Sequence, residues 1–146
     1  MAKSSNRMKQ VITKLAREAG ADIETVGKGF TVESKCFMPV NVTRTSTTTI
    51  AVSHTYIMNG DVVSDPDMEF YIGPMGSWYA CHYQDYYGYQ RSLELAPGSD
   101  GKLHPVTIKR RLQAQHAQFA SMWVNNIARQ GFYAAAQEST NVKLYD

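Results

Sequence analysis

Apolar residues along this chain change their spacing twice. Met8, Val11, Ile12, Leu15 and Ala19 recur every three or four positions, the repeat that gathers side chains on one face of a helix. Ser4, Ser5 and Asn6 precede this run as capping residues and Gly20 follows it, so the spacing predicts a short amphipathic N-terminal helix. From residue 29 to residue 95 the pattern turns to β-branched and aromatic runs punctuated by turn residues. It predicts strands over residues 30–34, 40–45, 48–58, 68–72, 78–84 and 89–95. Within 48–58, Ile50, Val52, His54, Tyr56 and Met58 alternate onto one face, which is assigned to the core. Asn59-Gly60 is a strong turn signal because both residues tolerate positive φ.

Helical spacing returns after the loop at residues 97–101. Pro105 stands where a helix accepts its first residue, and Ile108, Leu112, Phe119, Trp123 and Ile127 follow at three, four or seven positions. A longer second helix is therefore expected to end near Gly131. Residues 137–146 keep neither period and read as a loosely held tail. The expected fold class is α+β: an N-terminal helix, an antiparallel β-meander of about five or six strands, and a long C-terminal helix packed on one sheet face. The 146 residues suit a single domain over 1–136 with a tail over 137–146.

Charge sharpens this picture little. A formal net charge of +2 demands no polyanionic partner, yet the distribution is uneven. Lys3, Arg7, Lys9, Lys14 and Arg17 crowd the start, and Lys102, Lys109, Arg110 and Arg111 form a second basic group. Asp61, Asp65, Asp67 and Glu69 make the middle acidic. Cys36 and Cys81 are too few for a zinc site and read as reduced thiols. The basic N-terminus has no apolar stretch behind it, and no run approaches the ~18 apolar residues of a membrane span. A cytoplasmic protein with no membrane partner and no cofactor is expected.

Aromatic residues change the picture more. Half of them, from Phe70 to Tyr89, lie within twenty positions. If residues 85–88 form a hairpin turn, Tyr86 and Tyr87 occupy its tip, with Tyr83, Tyr89 and Arg91 on the flanking strands. Tyrosine offers rigid apolar area and a hydroxyl at low entropic cost, which makes this group a candidate contact surface for a protein partner or for self-association. The other reading is that tyrosine is a good strand former and the rings cover the end of the sheet.

Three further constellations can carry chemistry. Asp65, Asp67 and Glu69 alternate, so on a regular strand they converge on a hard cation such as Mg²⁺, the basis of a metal-dependent hydrolase; Asp-Pro-Asp is equally a turn composition. His82 lies close enough to Asp85 for a carboxylate to orient its imidazole, but Cys81 alternates away from His82 and supplies no nucleophile to it. His54 and His116 read as hydrogen-bonded histidines of a strand and a helix, and His104 as the residue leading into the second helix. Lys9, Lys14 and Arg17, with Lys109, Arg110 and Arg111, form a phosphate-facing surface if the two helices lie side by side, which is the nucleic-acid-binding alternative.

Ser64-Asp65-Pro66-Asp67-Met68-Glu69-Phe70, followed by Tyr83-Gln84-Asp85-Tyr86-Tyr87-Gly88-Tyr89-Gln90, resembles small domains of unknown function encoded by bacteria, phages and mobile elements. There an Asp-Pro-acidic-Met-aromatic strand precedes a Tyr-Gln-Asp-aromatic-Gly turn. The resemblance covers about thirty central residues and carries no catalytic residues to transfer. It implies a cytoplasmic accessory protein in which the two motifs adjoin in an antiparallel sheet.

Overall fold

In the computed structural model, residues 2–145 are described, and Met1 and Asp146 fall outside them. Helix α1 (Asn6–Ala19) turns Met8, Val11, Ile12, Leu15 and Ala16 inward. Gly20 then closes it in the left-handed region at φ 70°, donating its N–H to the carbonyls of Ala16 and Arg17. Ser5 occupies the N-cap, but its side chain makes no capping bond. Its N–H instead donates to the Trp78 carbonyl at 2.7 Å, which ties the start of the helix to the sheet.

Six strands follow as a meander: β1 (Gly29–Val32), β2 (Val40–Ser46), β3 (Thr49–Met58), β4 (Asp61–Ile72), β5 (Trp78–Asp85) and β6 (Gly88–Arg91). Each pairs antiparallel with its sequence neighbour. The Asn59-Gly60 turn between β3 and β4 uses φ values of 52° and 86°, as its composition predicts. One face of the sheet is apolar. Phe30, Val32, Val40, Val42, Ile50, Val52, Met68, Phe70, Trp78 and Ala80 join one core with α1, α2 (Arg110–Arg129) and α3 (Phe132–Ala136). The long helix thus packs on one sheet face, and the protein is α+β.

Four elements depart from the sequence reading. Residues 89–95 do not form one strand, because the chain breaks at Ser92 into β6 and β7 (Leu93–Pro97), which leaves the main sheet. β7 pairs with β8 (Leu103–Ile108), and Leu93, Leu95 and Ile108 of this ribbon cover Tyr71, Tyr79 and Cys81 on the face opposite the helices. Pro105 therefore lies in a strand rather than at a helix start. Val106, Thr107 and Ile108 favour extended backbone, and a two-stranded ribbon next to a bulge accommodates the missing N–H. His104 likewise sits in β8, where Asp100 accepts from its Nε2 at 2.9 Å and the Tyr71 hydroxyl meets its Nδ1 at 3.2 Å. The supposed loose tail contains β9 (Val142–Tyr145), which pairs with β1 and forms one edge of the seven-stranded sheet. Four residues give too short an alternation to be recognised; pairing with β1 and the packing of Val142 against the core hold them.

The fourth departure concerns β4, which begins at Asp61 and runs through Asp65, Pro66 and Asp67 without a turn. Ser64 pairs with Thr55 and Asp67 with Ser53, so Asp65 and Pro66 together oppose the single residue His54. This bulge breaks the alternation of the carboxylates.

Candidate functional site

The β5–β6 hairpin is braced from its base to its tip. Tyr83 stacks on His116 of α2 with ring centroids 5.5 Å apart and meets Phe119 edge-on at 5.1 Å. Its hydroxyl donates to Asp85 Oδ2 at 3.0 Å. Asp85 Oδ1 in turn accepts the N–H groups of Tyr87 and Gly88 at 2.8 and 3.1 Å, an arrangement that fixes a tight turn. Burial, and then the Asp85 hydrogen bond, push the Tyr83 pKa up to about 12, so its hydroxyl keeps the proton it donates. Tyr86 and Tyr87 project from this turn, 58% and 92% exposed, with their rings edge-to-face at 5.4 Å.

The five aromatic-hairpin residues therefore occupy different environments. Tyr83 is a brace packed against α2, Tyr86 and Tyr87 are free at the tip, and Tyr89 lies on the opposite sheet face, where its ring centroid is 4.5 Å from that of His82. Arg91 Nε donates to the Tyr89 hydroxyl at 2.8 Å. A second hairpin tip, between β3 and β4, exposes the cross-strand neighbours Ile57 and Val62 at 68% and 69%.

The open part of that opposite face carries two polar rows across β4, β5 and β6: Asp67, Gln84 and Tyr89, then Glu69, His82 and Arg91. Thr45 donates to Glu69 at 3.0 Å. Burial, then the Glu69 charge, raise the Asp67 pKa. Burial, followed by the Arg91 and His116 charges, lowers His82 to about 4, so the ring is neutral at physiological pH, and its Nε2 is buried with no partner among the described residues. Cys81, buried beneath β7 and β8, is pushed up to about 12 and stays a thiol. Such a thiol is no nucleophile at neutral pH.

The remaining sequence candidates are placed apart. Asp67 and Glu69 share the polar face, whereas Asp65 adjoins Tyr56, whose pKa is raised by burial and then by the Asp65 charge. Among the described residues no group of three His, Cys, Asp or Glu side chains is arranged to hold a metal ion. Asp85 accepts from Tyr83 rather than orienting His82. Lys9, Lys14 and Arg17 share one side of α1, and Lys9 Nζ lies close to Gly76 in the β4–β5 turn, whose Pro74 lines a cavity with Arg110. Arg7 reaches Asn125 in the C-terminal half of α2, and Lys14 lies over the Tyr133 ring of the chain beyond it, 4.2 Å from the centroid. Lys109, Arg110 and Arg111 cluster at the other end of α2, a helix about 30 Å long. His54 and His116 are the hydrogen-bonded histidines their positions predict, through the Pro39 carbonyl for one and Ser92 and Gln90 for the other. The rows joining His82 to Glu69 and Arg91 escaped the sequence reading, although a two-residue turn at Tyr86-Tyr87 already implies that His82 opposes Arg91.

A pH dependence follows from His82. The folded ring resists the proton that the unfolded chain accepts near pH 6.5, so its contribution to stability is complete above that pH and is lost as pH falls toward 4. Allowing for solvent screening of a partly exposed ring, the loss is about 1–2 kcal/mol. His82→Gln is expected to flatten the thermal-unfolding midpoint between pH 7 and 5 relative to the parent. Equal slopes for both proteins would refute the assignment.

The chain belongs to the family described as domain of unknown function DUF6908, which matches it over residues 9–133. No curated protein and no solved structure matches it. The matched span runs from α1 into α3 and includes both hairpins, while β9 lies outside it. Among the described residues no helix is long and apolar enough to cross a membrane.

Proposed function

We propose that this protein is a non-enzymatic binding module that contacts another protein chain through the β5–β6 hairpin. The observation that carries the reading is the exposure of Tyr86 and Tyr87 on a turn that Asp85 and Tyr83 hold rigid. A rigid turn loses little entropy on association, and paired tyrosines supply the anchor residues typical of binding hot spots. Ile57 and Val62 are likewise exposed at the tip of the longer β3–β4 hairpin. The resemblance to phage and mobile-element domains supports an accessory role in the cytoplasm.

A photo-reactive phenylalanine analogue at position 87, introduced in the cells that make the protein, is expected to trap a discrete protein adduct. The same analogue at Met75, which is 93% exposed on a different turn, is expected to trap none. Adding Tyr86→Ala should reduce the adduct at least tenfold, the effect of losing about 1.4 kcal/mol. No adduct at position 87, or equal yields at both positions, would overturn the proposal.

A further inference from the structure

The outer strand of the braced hairpin ends the sheet with its backbone unpaired. Asp85 and Gly88 flank the two-residue turn, and Ser92 donates its N–H to the Cys81 carbonyl at 3.0 Å, so Gly88, Gln90 and Ser92 direct their backbone groups toward β5. The N–H and C=O groups of Tyr89 and Arg91 consequently point away from the sheet. Among the described residues no helix or loop backbone pairs with them. Such an edge is a template for another strand.

The edge is also self-complementary. If two copies of β6 run antiparallel about a two-fold axis at Gln90, Tyr89 of each copy lies directly opposite Arg91 of the other. The chain already makes this pairing within one strand, with Arg91 bonded to the Tyr89 hydroxyl and its guanidinium 5.7 Å from the ring centroid. A two-residue shift in register, to a pairing about Arg91, would set Arg91 against itself and bring like charges together. Beneath the edge, Leu112 and Phe119 are half-buried on the flank of α2 that presents His116 to Gln90, and a cavity of 370 Å³ opens between Tyr83 and Tyr89. A second copy would cover both. The net charge of +2 puts little repulsion between copies.

We infer that the chain associates with a second copy of itself by antiparallel pairing of β6 with β6 about Gln90, joining the two sheets into one. This inference rests on the hairpin being a contact surface, as proposed above, and names its partner. The pairing closes about four backbone hydrogen bonds between Tyr89 and Arg91 of the two chains, and the turn tyrosines of each copy extend toward the α2 N-terminus of the other.

Sedimentation velocity of the full chain at about 100 μM, above the micromolar range of a small interface, is expected to show a dimer. Gln90→Cys in a Cys36→Ser background should form an intermolecular disulfide on mild oxidation, because opposed residues at a non-hydrogen-bonded pair have Cα atoms about 4.5 Å apart. Tyr89→Cys or Arg91→Cys alone should cross-link at least tenfold less. Arg91→Pro removes an outward N–H and is expected to weaken the dimer tenfold or more, with circular dichroism confirming the fold; were it unfolded, the cysteine series decides by itself. A monomer at this concentration, or equal cross-linking at all three positions, overturns the inference. The adduct at position 87 then separates the two claims: a trapped protein of a different mass leaves the hairpin reading intact, and no adduct removes both.

Discussion

Gly29→Ala is expected to cost about 3–5 kcal/mol of stability, among the largest effects of any single methyl group in this chain. A Cβ built on Gly29 would lie 1.9 Å from the Val42 carbonyl oxygen and 2.9 Å from the Thr43 Cα. Both obstacles are backbone, so no rotamer change relieves them. Gly29 also cannot retreat, since it pairs with Thr43 on one side and with Tyr145 on the other. The β1–β2 ladder must part, and β9 loses its template with it. Urea unfolding measures the effect directly, and Gly88→Ala is the control, because nothing lies within 4 Å of a Cβ placed there. A Gly29→Ala midpoint matching the parent's would show that the strands separate without penalty and would refute the account.

Gln113→Ala is expected to cost about 2–4 kcal/mol and to release the N-terminal segment. Gln113 is fully buried and uses both ends of its amide. Its Nε2 donates to the carbonyls of Lys3 and Ala80 at 2.9 and 3.2 Å, while Oε1 accepts the Lys3 N–H at 2.8 Å. One side chain of α2 thereby fastens the segment before α1 to β5. Its loss strands the Ala80 carbonyl in the core and leaves Lys3 to water. Hydrogen exchange at Lys3, Ser4 and Ser5 should accelerate by an order of magnitude or more while the β2–β3 amides stay protected. Gln113→Leu, which restores volume without hydrogen bonds, should recover only part of the stability. Full recovery would mean that packing rather than polar pairing carries the role.

Neither residue announces itself in the sequence. Gly29 looks like one more turn glycine, and Gln113 falls between Leu112 and Ala114 as a polar residue of a helix. Gly29 matters through the close approach of a neighbouring strand, and Gln113 through a partner about 110 residues away. The same limit applies to the candidate site. The Tyr86-Tyr87 turn is legible because a two-residue loop followed by glycine interrupts an alternating run. Whether Tyr83 braces the turn or joins the exposed patch depends on α2, which carries His116 and Phe119 beneath it. The alternate carboxylates illustrate the converse failure. A bulge at Asp65 and Pro66 takes Asp65 out of the row that spacing alone would give.

Local, repeated patterns along the chain are enough to place the amphipathic α1, the strand meander with its Asn59-Gly60 turn, the apolar stripe of α2, and the hairpin that lifts Tyr86 and Tyr87. Periodicity over several turns or a full strand overrides accidents of composition. The departure of β7 and β8 from the sheet, the β9 edge and the unpaired edge of β6 follow from tertiary packing alone. Each depends on which distant segment comes to lie alongside. A four-residue strand carries too little pattern of its own to record that neighbour, and its hydrogen-bonding partner alone gives it a place.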